Sequence, residues 1–423
     1  MKVKNKIIIT IFIVIGLFVL TAFILKAKAV ELDNKIQFYD IGGEFVDIAA
    51  TQDGGYVIVG VNNNNDAIIV KYDKEENIEW QKEYGGSSCD YFDAITSLPD
   101  GGYIAVGSSH SEDIDGLAIE NESRADDDAI IVKYDKKGNI EWQKKYGGKN
   151  GDDYFISVTN TSDGGCIAIG ASESTDLEGI TNKGGYDAII VKYDKEGNVK
   201  WQKNYGGSDS DYFNGITSLP DDGYVVVGCS YTIDIEGITN KGGCDAIMVK
   251  FDEEGNLEYQ WSYGGNGDDC FKAITCLTDG GYVVVGDSSS TDIEGITNKG
   301  RSDAIIVKYS KEGNIDWQKN YIDSGTANDS FYDVICDGEF FVVVGNKEED
   351  MGPRSLTDDS EKAISGAIIA KYDSDGNLIW DDLYGADFDY FYSVLKIRFR
   401  NLYFSWIYQF ILEVLCIELI WVL

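Results

Sequence analysis

Asp211-Tyr212-Phe213, then Asn214 to Leu219, a Pro220-Asp221-Asp222-Gly223 turn, Tyr224 to Ser230, an acidic loop, Asp245 to Phe251 and Asn256 to Gly265 make up one unit of the chain. The unit repeats. Its Asp recurs at Asp90, Asp153, Asp211, Asp269, Asp329 and Asp389, and its closing aromatic at Trp80, Trp142, Trp201, Tyr259, Trp317 and Trp380. Gly-Gly pairs follow at 85–86, 147–148, 206–207 and 264–265. A fixed period of about sixty residues marks a repeat architecture.

Each unit holds four strand-like runs. In the second unit they are Phe92–Leu98, Tyr103–Ser109, Asp128–Asp135 and Ile140–Tyr146. Asp100-Gly101-Gly102 supplies a tight turn between the first two, and Lys137-Gly138-Asn139 one between the last two. The second and third runs are continuously apolar, as in strands covered on both faces. Such a sheet cannot bury itself and needs a neighbour on each side, which radial stacking gives. The predicted fold is all-β, a propeller of four-stranded antiparallel blades over residues 35–394. Lys35-Ile36-Gln37-Phe38 reads as a fourth strand without its blade, and Asp389-Tyr390-Phe391 as the start of a further one. That predicts a seven-bladed ring with six full blades, the first strand completing a last, incomplete blade.

Composition agrees. The 423 residues include 48 Gly, 27 Tyr and 18 Phe but only 3 Pro. The net charge of −37 predicts no nucleic-acid partner and an affinity for cations or basic partners. Residues 1–29 pair a basic start (Lys2, Lys4, Lys6) with an apolar run from Ile7 to Leu25 and Ala27-Lys28-Ala29. They read as a signal peptide or N-terminal membrane anchor, with export to the cell surface or medium. Residues 395–423 are an apolar tail, read either as a C-terminal anchor or as a blade disrupted by a frame change.

The Tyr-Gly-Gly, Asp-Tyr-Phe, Asp-Gly-Gly-Tyr, Asp-Ala-Ile-Ile-Val-Lys-Tyr-Asp and Gly-Asn-Ile-x-Trp pattern resembles the β-propeller repeats of bacterial secreted and surface proteins. That resemblance implies an architecture and no particular activity. Asp194 to Trp201 also looks like the sialidase Asp-box and the quinoprotein repeat. Its spacing departs from both, and both are structural hairpins.

Strand order places the long acidic connections on one face. Thr175 to Gly184 recurs as Ile233 to Gly242 and Thr291 to Gly300. The candidate cation ligands there are Asp176, Glu178, Asp234, Glu236, Asp292 and Glu294, whose oxygen-rich pattern suits Ca²⁺. Against that stand the Lys in each copy and the ordinary use of loop Asp to cap turns. His110 is the sole histidine, read as a surface residue. The eight cysteines share no repeat position and form no C-x-x-C pair, so no disulfide framework or zinc site is expected. With no nucleophile elbow and no phosphate loop, the expected function is a non-enzymatic binding or scaffold module taking a protein or glycan on the acidic face. The alternatives are a Ca²⁺-dependent glycan hydrolase or lyase, for which the longer loop from Glu348 to Lys362 breaks the symmetry, and an envelope assembly platform.

Overall fold

Runs such as Tyr224-Val225-Val226-Val227 have branched side chains that favour extended backbone, and Gly-containing turns reverse the chain between them. In a computed structural model, described here for residues 43–117, 126–220, 223–299, 301–321, 328–348, 366–384, 392–396 and 419–422, every such run is a strand. Among these residues there is no helix.

Blade one is β1 (Gly43–Ala50), β2 (Tyr56–Asn62), β3 (Ala67–Tyr72) and β4 (Ile78–Tyr84). Blade two is β5 (Asp90–Ser97), β6 (Tyr103–Ser109), β7 (Asp128–Tyr134) and β8 (Ile140–Tyr146). Blade three is β9 (Asp153–Asn160), β10 (Cys166–Ser172), β11 (Asp187–Tyr193) and β12 (Val199–Tyr205). Blade four is β13 (Asp211–Ser218), β14 (Tyr224–Ser230), β15 (Asp245–Phe251) and β16 (Leu257–Tyr263). Blade five is β17 (Asp269–Cys276), β18 (Tyr282–Ser288), β19 (Asp303–Tyr309) and β20 (Ile315–Asn320). Blade six is β21 (Ser330–Asp337), β22 (Phe340–Lys347), β23 (Gly366–Tyr372) and β24 (Leu378–Tyr384). In all six sheets the strands lie in chain order, and in blades two to six every neighbouring pair is antiparallel. These six four-stranded blades form a β-propeller.

The count departs from a seven-bladed ring. After blade six, β25 (Ser393–Lys396) pairs only with β26 (Leu419–Val422) in a two-stranded sheet. The reason is local: past Val394 the chain has no Asp-Gly-Gly-Tyr turn to build repeat-type second and third strands. The leader and Lys35–Phe38 lie outside the described residues, as do Asp389–Phe391 and most of the tail. No helix among the described residues is long and apolar enough to cross a membrane.

Blades bury one another. The core between blades four and five joins Val225, Val227 and Met248 to Phe271, Val284, Ile305 and Val307, all at most 1% exposed. At roughly 1.5–3 kcal/mol per large buried side chain, these junctions are the main source of cohesion.

Two glycine positions set the blade geometry. The first strand carries a bulge after its Phe, between Phe92 and Ala94, Phe213 and Gly215, Phe271 and Ala273, and Phe331 and Asp333. It drives the first strand against the second, so a Cβ on Gly107, Gly228, Gly286 or Gly345 would collide with the facing backbone carbonyl. The third-to-fourth turn then puts a positive-φ glycine under the neighbouring blade's aromatic. A Cβ on Gly138 would sit 2.8 Å from Trp80 and one on Gly255 2.8 Å from Trp201. The same Trp indoles donate to the turn's carbonyls, Trp80 to Lys136 at 3.3 Å and Trp201 to Glu253 at 3.1 Å. Where Tyr259 replaces the Trp, Trp261 two residues on covers Gly313 instead.

Candidate functional site: the acidic loop face

The face is organised by the repeated Asp of the first strand. Asp90, Asp153, Asp211 and Asp269 are fully buried. Each accepts the N–H of the second glycine of the preceding Gly-Gly pair: Gly86 at 2.9 Å, Gly148 at 3.1 Å, Gly207 at 2.9 Å and Gly265 at 3.0 Å. Each also accepts a hydroxyl from the start of the acidic loop: Ser111 at 2.8 Å, Ser174 at 2.6 Å, Thr232 at 2.9 Å and Ser290 at 2.6 Å. One carboxylate thus ties blade link, first strand and loop together. Burial pushes Asp153 up to about 6 against these bonds, and it raises Asp211 in the same way.

The acidic loops are largely self-satisfied. Asp176 accepts the Lys149 N–H at 2.9 Å, Asp234 that of Ser208 at 2.9 Å and Asp292 that of Asn266 at 2.7 Å, all in blade links. The backbone carbonyls of Glu178, Glu236 and Glu294 accept the amides of Gln202, Gln260 and Gln318. Asn182 donates to Ser172 and Gly185, and the Lys183 ammonium caps the Gly206 carbonyl at 3.0 Å, as Lys241 caps Gly264. The lysine that counts against a metal in the sequence is therefore a structural donor. Among the described residues no group of three His, Cys, Asp or Glu side chains is placed to hold a metal ion.

The repeat symmetry breaks at two places that spacing does not reveal. A run of tyrosines crosses blades three and four: Tyr154 and Tyr186 rings lie 5.8 Å apart, Tyr186 and Tyr212 5.7 Å. The Tyr186 hydroxyl donates to Asp152 at 3.2 Å. Beside it, the loop of blade four exposes Tyr231 (44%) and Ile233 (80%), where blade three has Glu173 and Thr175 and blade five Ser289 and Thr291. Burial and the surrounding thiols and Asp268 push Tyr231 up to about 12. His110 is half-buried with its ring nitrogen against the Asp127 carboxylate, not a plain surface residue. Its backbone N–H donates to Cys89 at 2.9 Å. The loop from Glu348 to Lys362 lies outside the described residues beyond Glu348, whose N–H donates to Asp329 at 3.0 Å.

The second break is where the ring closes. Ser393 on β25 donates from one hydroxyl to Asp47 of blade one at 2.8 Å and lies 3.0 Å from Asp333 of blade six. The Val394 N–H bonds Asp333 at 2.8 Å, just as the Ile95 N–H bonds Asp47 at 2.8 Å. β25 thus takes the inner-strand place between blades six and one. Burial first, then the Asp333 carboxylate, pushes Asp47 up to about 7.

No protein-family model matches the chain. A 220-residue stretch, 49% of this chain and 22% of the relative, is 26% identical to the regulatory protein FlaEY of Caulobacter vibrioides. The chain therefore spans about a fifth of that relative's length. Among solved structures it is similar to the β-propeller domain of Myceliophteria thermophila Cps50 (Swd1), at 8% identity, covering 82% of this chain and 88% of that one, TM-score 0.47. It is also similar to the C-terminal WD40 domain of Sif2, at 10% identity, covering 83% and 90%, TM-score 0.42. A protein of unknown function from Bacteroides caccae matches at 14% identity, covering 67% and 83%, TM-score 0.38.

Proposed function

We propose that this propeller is a non-enzymatic binding module, displayed outside the cell, whose acidic loop face receives a basic protein segment. The observation that supports this reading is the break in symmetry on blades three and four. There the half-buried Tyr154–Tyr186–Tyr212 run and the exposed Tyr231 and Ile233 give apolar contact area within a face of otherwise self-satisfied acidic loops. Aromatic anchors ringed by charge of one sign suit a partner of opposite sign. Export rests on residues 1–29, and a seven-bladed design on the inner-strand place taken by β25.

The test is binding of labelled basic, neutral and acidic peptides at rising salt, with wild type and the Tyr186→Ala plus Ile233→Ser variant. Salt-sensitive binding of the basic peptide, weakened about tenfold or more by the variant, is expected from loss of two contact residues. Binding of glycans with no preference for basic peptide would overturn the reading in favour of the glycan-active alternative. Capture of a multi-protein surface complex independent of the face would favour the assembly platform. Ca²⁺ held by Asp176, Glu178, Asp234, Glu236, Asp292 and Glu294 is the competing use of these loops, and its signature is a rise in melting temperature in millimolar Ca²⁺ over Na⁺ of equal ionic strength.

A further inference from the structure

Three repeat positions meet where two blades adjoin: the residue before the last of the second strand, the residue just before the third strand, and the residue between the repeated Asp and Phe that open the next blade. Between blades five and six these are Asp287, Ser302 and Ser330, and both serines donate to Asp287, at 3.2 and 2.9 Å. Between blades four and five the same positions carry Cys229, Cys244 and Cys270. Cys229 is hydrogen-bonded with both of the others. Cys229 and Cys244 are buried and Cys270 is half-buried, all as free thiols. The Asn214 amide lies 3.3 Å from the Cys270 sulfur, and Lys272, two residues on, is paired with Asp287 at 3.8 Å. Residues 229, 244 and 270 look scattered in the chain because each fills a different position of the repeat.

We propose that Cys229 and Cys270 form a redox-dependent latch, a disulfide that joins blade four to blade five when the chain meets a disulfide oxidant such as oxidised glutathione. Cys270, whose thiol is held well above the ordinary range by its contact with Cys229 first and by burial, gives up its proton to solvent as it attacks one glutathione sulfur, releasing glutathione as a thiolate that takes up a proton. Cys229 then gives up its proton and attacks the Cys270 sulfur of the mixed disulfide, expelling the second glutathione. Two protein thiols are oxidised and one glutathione disulfide is reduced to two thiols, a balanced two-electron exchange. Hydrogen bonding to Cys244 first, with burial adding to it, pushes the Cys229 thiol up to about 12. Closure is therefore expected to be slow in the folded protein at neutral pH and faster at alkaline pH or during refolding.

The experiment refolds the full chain with reduced or oxidised glutathione, counts maleimide-reactive thiols, maps cross-linked peptides by mass spectrometry and measures melting temperature. Oxidation is expected to remove two of the eight thiols, to yield a Cys229–Cys270 peptide, and to raise the melting temperature by several degrees until dithiothreitol is added. Cys270→Ser is expected to abolish both the thiol loss and the shift, and Cys244→Ser to keep them. Ser330 and Ser302 stand at those positions in the sister junction, so both variants suit the fold. Cys229→Ala, matching Ala171 of blade three, serves as the second null. An unchanged thiol count after refolding, or a link between any other pair, including Cys229–Cys244, would overturn the proposal.

Discussion

The junction between blades four and five and the junction that closes the ring do the same mechanical job with opposite chemistry. The core of the first is apolar: Val225, Val227 and Met248 pack on Phe271 and Val284, the thiols of Cys229, Cys244 and Cys270 lie outside that cluster, and its own titratable groups are tyrosines and the partly buried Cys276. The closing one joins blades one and six through two carboxylates sharing the Ser393 hydroxyl. On its blade-six side Val342, Val344, Ala367 and Ile369 pack with Val394 of β25. At the closing junction burial pushes both carboxylates toward the protonated form. Internal repeats can rely on burial because both sides are copies of one sequence. The closure joins residues 346 positions apart and is held by specific polar contacts.

The comparison breaks most readily at the apolar side. Phe271→Ala is expected to cost about 3–5 kcal/mol, as for large core aromatics, and to lower the denaturant midpoint sharply. If it cost no more than a surface change, apolar burial would not be what joins the blades. Next in size is the buried Asp of the loop face. Asp211→Ala strands the Gly207 N–H and the Thr232 hydroxyl, for a cost of about 3 kcal/mol at 1–3 kcal/mol per stranded group, read in the same titration.

At the closure the effect is expected to be smaller and opposite in sign at high pH. An acid whose pKa is raised on folding binds its proton more tightly in the native state, so stability falls as pH rises from about 4 through about 7. Asp47 faces Asp333 and Ser393, with the Ile95 and Ile48 amides bonded to it. Asp47→Asn is expected to remove this part of the slope and to be the more stable form at pH 8. The gain should be on the order of 1–2 kcal/mol after screening by water. Thermal melts of both proteins from pH 5 to 8 supply the check, and parallel curves would show that folding does not raise the affinity of Asp47 for its proton. The smallest effect belongs to the loops: Asp234→Asn keeps an acceptor for the Ser208 N–H and should change stability by no more than about 0.5 kcal/mol.

Much of the architecture is legible in the residues. The Asp100-Gly101-Gly102 and Lys137-Gly138-Asn139 turns mark the hairpins, and the predicted strands Tyr103–Ser109 and Ile140–Tyr146 coincide with β6 and β8. Six complete blades follow from the period, because each turn and each apolar run reports its own conformation through local backbone chemistry. The same reading leaves the repeated Asp as one acid among many, since its partners come from a Gly-Gly pair and a loop lying on either side of it in the chain.

What tertiary structure alone decides is which residues of different repeats meet. Spacing shows Cys229, Cys244 and Cys270 as unrelated, yet radial stacking places them together, because a blade junction draws one residue from each of three repeat positions. Within blade two, His110 meets Asp127 across the connection between β6 and β7, a contact that spacing along the loop does not show. Asp47, Asp333 and Ser393 occupy equivalent repeat positions, but nothing local distinguishes them as the closing contact. The sequence by itself determines the blade, because a blade is made of near neighbours. The thiol group and the clasp belong to the packed blades, because only the packing of one blade on another brings residues of different copies within bonding distance.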